Sequence, residues 1–245
     1  MLGLLATLAF LAVGTAVSLR LLALWRRTRQ LPELTAALGL FGIGPLGFCL
    51  LMLGITLFAD TPFGRSLRIA GLGIQALGFA SAAVFTWRVF RPGSRAARAA
   101  ALAIGVSLVA LWAPVPFHLS PRPGPLSLPM HVSQWIKIAT LLWGAVESLR
   151  YWSIARQRVR IGFADPVVSA GFLLWGVALI SAAVGFVLIY AILELRPGSL
   201  VGDAAGISLS TCGLVTAAAL YLGFLPPQAY ARWVAARAPA PPGRS

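Results

Sequence analysis

The chain has 245 residues, of which 59% are hydrophobic and 11% charged, and its formal net charge is +14. A soluble domain of this size carries about a quarter charged residues. With a mean hydropathy of +0.86, a water-facing globular domain is therefore excluded and lipid becomes the main solvent. In a soluble chain the basic excess would point to nucleic acid. Here the basic residues gather at the ends of apolar runs, where they fix membrane topology and meet anionic lipid, and no nucleic-acid partner is expected.

Seven apolar runs follow one another, each close to the roughly 20 residues that cross about 30 Å of hydrocarbon. They are Leu2–Trp25, Leu34–Ala59, Leu67–Phe90, Arg98–Phe117, Val132–Ser153, Pro166–Leu193 and Ala204–Leu225. The first lacks a positive n-region, and its charges (Arg26, Arg27, Arg29) follow the apolar stretch, so it reads as a retained helix inserted N-terminus out. In the second, Pro45 stands among Gly42, Gly44 and Gly47 and predicts a kink or a close approach. The third carries Gln75 on a small face with Gly71, Gly78 and Ala82, which suits an interhelical hydrogen bond or a ligand contact.

Between the fourth and fifth runs lies a loop with prolines at 121, 123, 125 and 129. Asp165-Pro166 sets a capping carboxylate before a proline at the start of the sixth run. Pro32-Glu33 does similar work before the second. Cys49 and Cys212 fall inside apolar runs and read as small buried residues rather than a disulfide. Residues 1–237 form one seven-helix domain, and the Pro-rich tail 238–245 reads as disordered.

The basic residues give the orientation. Fifteen arginines follow the first, third, fifth and seventh runs or precede the fourth, from Arg20 and Arg26 to Arg237 and Arg244. Only five basic residues, Arg65, Arg68, Arg122, Lys137 and Arg196, map to the other side. This is the positive-inside pattern, and it places the N-terminus outside and the C-terminus in the cytoplasm. All basic residues but Lys137 are arginine, and Ala, Gly and Pro abound. That usage fits a GC-rich bacterium, hence a bacterial inner membrane.

The fifth run carries most of the chemistry. Ser133, Lys137, Thr140, Gly144, Glu147 and Tyr151 recur at three- and four-residue spacing and so share one helix stripe. Ionisable groups at membrane depth cost roughly 2.5–3.5 kcal/mol each even on the lenient scale, which makes them functional candidates. Two simpler accounts stand beside that one. Lys137 is about one turn from the outer end and has the reach to snorkel, and Glu147 has Arg150 at i+3 to pair with.

A second polar group maps outside: Asp60, His118, His131, Glu194 and Asp203. His118 and His131 bracket the Pro-rich loop and are weak candidates for a metal or proton-sensing site. Neither lies within a helix core, which excludes a bis-histidine haem and counts against intramembrane serine proteases and seven-helix zinc hydrolases. The last run has no lysine, unlike the retinal-binding helix of rhodopsins. Pro227-Gln228 follows that run, which is misplaced for the PQ-loop sugar carriers.

The architecture resembles the seven-helix sensor modules of bacterial signalling proteins, without a residue signature. The reading that follows is an all-α integral membrane bundle, a non-enzymatic sensor or ligand-binding protein with no cofactor. A small or lipid-like ligand would meet Lys137, Thr140, Glu147 and Gln75, with Glu194 and Asp203 setting the charge at the mouth. The alternatives are a transporter or permease-like protein, which needs discontinuous helices, and an assembly subunit whose polar stripe pairs with a membrane protein partner.

Overall fold

Backbone groups in hydrocarbon must be satisfied within the chain, and helices do this segment by segment. The computed structural model describes residues 2–119, 127–195 and 203–237. Arg122, Arg196, Arg244 and the tail 238–245 lie outside the described residues, as do the side chains of His118 and Asp203. In chain order the helices are α1 (Leu2–Thr28), α2 (Leu31–Phe41), a π-helical turn (Gly42–Leu46), α3 (Gly47–Thr56) and α4 (Pro62–Phe90). They continue as α5 (Arg95–Trp112), the single turn α6 (Val115–His118), α7 (Leu128–Arg160), α8 (Pro166–Leu195), α9 (Asp203–Phe224) and α10 (Gln228–Ala236). No strand occurs among the described residues.

Six segments are long and apolar enough to cross a membrane: Leu5–Thr28, Leu31–Thr56, Pro62–Phe90, Arg95–Phe117, Pro166–Ile192 and Ile207–Phe224. These match six of the seven expected runs. The fifth run lies within α7, a helix of 33 residues. Its polar stripe lowers its average hydropathy, although at about 1.5 Å per residue it is more than long enough.

The helix starts follow their capping residues. Thr61 accepts the Gly64 amide at 3.0 Å before Pro62, and Ser94 accepts the Ala97 amide at 3.2 Å. Asp165 accepts the Val167 amide at 2.7 Å, as the Asp-Pro pair predicts. Glu33 instead turns back to the Thr28 hydroxyl and ties the α1–α2 corner. Gly162, at φ 77°, ends α7 in the left-handed conformation that glycine adopts without strain.

The expected kink at Pro45 is the π-helical turn. Proline has no N–H to donate and crowds the preceding turn, and the wider π turn accommodates both. Gly14 of α1 packs against it, where an added Cβ would stand 3.2 Å from the Pro45 ring.

Packing closes a ring. α1 lies on α2, α2 on α4, α4 on α7, α7 on α8, α8 on α9, and α9 returns to α1. α3 runs along α4, α5 fills the groove between α4 and α7 outside the ring, and α10 touches α8. Small residues set how closely the π turn and α3 approach α4: a Cβ on Gly78 would meet the Ile43 amide at 2.7 Å, and one on Gly71 the Leu51 amide at 2.8 Å. Side-chain donors to backbone carbonyls bind neighbours together. Trp112 Nε1 donates to Ile69 at 3.0 Å, Ser148 to Phe172 at 2.8 Å, and Ser181 to Cys212 at 2.9 Å. At the end of α9, Arg20 donates to the Phe224 carbonyl at 2.6 Å, where a cation also complements the helix dipole.

The core of the bundle gathers Phe79, Leu108, Leu141, Ala76 and Ala183. The outward faces are apolar too, with Leu5 61% and Val106 69% exposed, as lipid contact requires. Gly78→Leu is expected to cost roughly 1–3 kcal/mol by overpacking the contact of α4 with the π turn. Gly93→Ala, with nothing within 4 Å of the added carbon, is expected to change nothing. Thermal unfolding of the two variants in detergent checks the contrast.

Candidate functional site

The α7 stripe faces inward. Lys137 is 4%, Thr140 2% and Glu147 5% exposed, while Val146 on the opposite face is 63% exposed. Gly144 and Ser148 are buried on the same side, and the Thr140 hydroxyl donates to the Ile136 carbonyl of its own helix at 2.8 Å.

Lys137 does not snorkel. Its side chain turns into the bundle, where Nζ donates to Gln75 Oε1 of α4 at 3.4 Å and lies 5.9 Å from the centre of the Phe79 ring. Among the described residues no carboxylate pairs with it. An ammonium has three protons to donate, and here one long bond to a neutral amide is its hydrogen bonding. The reason for the burial is on α4. Gln75 sits on the small face with Gly71 and Gly78, packed against the second run, and α7 lies close enough to bring Lys137 to it.

Glu147 does not pair with Arg150, which is exposed. Its carboxylate takes both bonds from Arg91 Nε, at 2.9 and 3.0 Å. Arg91 follows α4 directly, so the pair joins α4 to α7 at the arginine-rich end. The carboxylate raises the Arg91 pKa above its ordinary value, by hydrogen bond first and by charge second. Beside it Phe90, Tyr151 and Phe172 stack edge to face, and the Tyr151 hydroxyl reaches the Phe90 carbonyl at 3.4 Å.

Between these two polar contacts lies a cavity of about 60 Å³ on the axis of the ring. Every ring helix contributes to its wall: Phe10 from α1, Gly39 from α2, Thr86 from α4, Thr140 and Leu141 from α7, Trp175 from α8 and Thr216 from α9. The π turn contributes Ile43 and Gly44. The wall is apolar apart from the threonine hydroxyls, which donate to their own helices, and Trp175, whose Nε1 is buried without a hydrogen-bond partner. Thr140 lines the cavity one turn along α7 from Lys137, while Lys137 and Gln75 themselves are not part of its wall.

At the loop end of α7, His131 Nδ1 lies 2.8 Å from the Tyr190 hydroxyl, and Nε2 lies 3.7 Å from Glu194. Glu194 thus meets a histidine of α7 rather than standing alone at a mouth. The side chains of His118 and Asp203 fall outside the described residues, and among those described no three His, Cys, Asp or Glu side chains gather as metal ligands. Sequence spacing brings Lys137, Thr140 and Glu147 together correctly. It misses Arg91, Phe79, Tyr190 and Trp175, which come from other helices and carry no signal in the local pattern.

Comparison with known proteins finds no match to a family model, a curated protein or a solved structure. The site's chemistry therefore rests on its own geometry. Arg91→Met leaves the Glu147 carboxylate buried without a cation and is expected to lower the midpoint of thermal unfolding by on the order of 5 °C or more. Glu147→Gln is expected to cost less, since Arg91 is 40% exposed and turns to water. The double change is expected to recover most of the loss, which a double-mutant cycle measures.

Proposed function

We propose that the protein is a non-enzymatic membrane receptor or binding protein for a small amphipathic ligand that carries an anionic group. The observation that supports this is the buried Lys137 ammonium, which faces Gln75 and no described carboxylate at the edge of an apolar cavity. An anionic head would meet Lys137 and Gln75, and an apolar portion would extend toward Leu141 and Trp175. An ionisable group this deep marks a ligand or ion site by default. A ligand larger than the cavity enters by side-chain movement, for which the threonines and glycines of the wall leave room.

In this reading α7 is the seventh crossing. Its charges turn inward and its lipid face stays apolar, so its low average hydropathy does not disqualify it. The arginine asymmetry supports an outside N-terminus, a cytoplasmic C-terminus and a bacterial inner membrane. The inward stripe weighs against an assembly subunit, because a partner protein needs the polar groups on the outside. One observation favours a transporter as second reading: the π turn at Pro45 forms part of the cavity wall, where a broken helix would move. Helices α4, α7, α8 and α9 run unbroken, so a matching break is lacking among the described residues.

Native mass spectrometry of protein extracted gently from its own membrane tests the ligand. A reproducible retained mass is expected, lost on Lys137→Met and weakened on Gln75→Leu. A retained mass unaffected by both changes would sink the proposal. Single cysteines, in a background with Cys49 and Cys212 replaced, test the topology. Labelling from outside is expected at Ser127 and from the cytoplasm at Ser94 and Arg158. Labelling of Ser94 and Ser127 from the same side would show that the crossing order is wrong.

A further inference from the structure

At the arginine-rich end, α7 extends past the apolar run to Arg160 and α10 folds back beside α8. Between them lies a groove of about 190 Å³. Arg156 of α7 and Arg237 at the end of α10 line it from opposite sides. Each guanidinium is held over an indole: Arg156 lies 5.7 Å from the centre of Trp152, and Arg237 lies 4.0 Å from that of Trp233. Among the described residues neither has a carboxylate partner. Asp165, close by in sequence, is taken up by the Val167 amide. On the groove wall Ser169, a residue only 5% exposed, contributes a hydroxyl.

We propose that this groove binds the headgroup of an anionic phospholipid. Two guanidiniums and a hydroxyl converge on one volume, and guanidinium is the side-chain group best matched to phosphate oxygens. The Ser169 hydroxyl on the groove wall is a donor for which a phosphate oxygen supplies the acceptor. The remaining wall, including Leu173 and Val234, is apolar and suits the start of an acyl chain. α10 has the form of a helix lying in the interface plane. Its Trp233 is 51% exposed and stacks on Tyr230, and no residue of the helix is buried. The groove is separate from the Lys137 cavity and does not depend on it. By holding α10 against α8, the lipid fixes that helix at the end of the chain.

The test uses the full-length protein, delipidated in a neutral detergent and titrated with phosphatidylglycerol or phosphatidylcholine under native mass spectrometry. One phosphatidylglycerol adduct is expected to survive activation that strips phosphatidylcholine. The pair Arg156→Ala and Arg237→Ala is expected to weaken it about tenfold or more, since charged hydrogen bonds carry that much. Ser169→Ala is expected to weaken it a few-fold. Arg158→Ala, outside the groove, is expected to leave it unchanged, with thermal unfolding verifying that each variant is folded. Equal retention of the two lipids, or retention unaffected by the paired change, overturns the proposal. Displacement by millimolar inorganic phosphate would make this a free-anion site, and a gain in lipid binding on deleting residues 238–245 would make the chain's own tail the occupant. Either result also overturns it.

Discussion

A carboxylate and an ammonium buried on one face of α7 constrain everything around them. With so little of either side chain exposed, each finds its partner in the protein. Both partners come from α4 and its end: Gln75 for Lys137, and Arg91 for Glu147. Two polar contacts set well apart along α7 fix its register and rotation against α4. With that pair locked, α8 has to cover the rest of the inward stripe, and Ser148 reaches it through the Phe172 carbonyl. The closure through α9, α1 and α2 then follows, with glycines on α4 letting the second run approach.

The two contacts are not alike, and the difference carries the functional argument. Both oxygens of Glu147 share the charged Arg91 Nε–H near an end of the bundle, where Arg91 keeps access to solvent. That arrangement is complete as it stands and explains itself as structure. Lys137 has one long bond to a neutral amide, deep in the ring beside an aromatic face. Had selection acted on packing alone, a methionine would fill the same space without the desolvation. Those unmet donors are the observation on which the ligand proposal rests.

The sequence was informative where periodicity or local capping controls structure. Run lengths gave the helices, Thr61, Ser94 and Asp165 mark their starts, and three- and four-residue spacing put Lys137, Thr140 and Glu147 on one face. The glycine face around Gln75 was legible because close helix approach needs small residues. The partner of Glu147 was not. Arg91 and Arg150 are both arginines within reach by count, and only the rotation of α7 against α4 decides between them. α10 was missed because its nine residues fall well short of the length of a span. His131 with Tyr190, and Trp175 in the cavity wall, are meetings between helices far apart in the chain, which no local pattern encodes.

The cavity's position helps decide between a static and a mobile site. It lies between the Phe79–Phe186 edge contact and the aromatic cluster of Phe85, Phe90, Trp175 and Phe224. Aromatic rings change rotamer only when their neighbours yield, so both ends are closed by groups that move together with helix shifts rather than alone. The π turn is the weakest part of that frame, since its backbone is already wider than an α-helix and Pro45 contributes no bond to it. A ligand that enlarged the cavity would therefore press first on Ile43 and Gly44, beside the close packing of the π turn on Gly78 of α4.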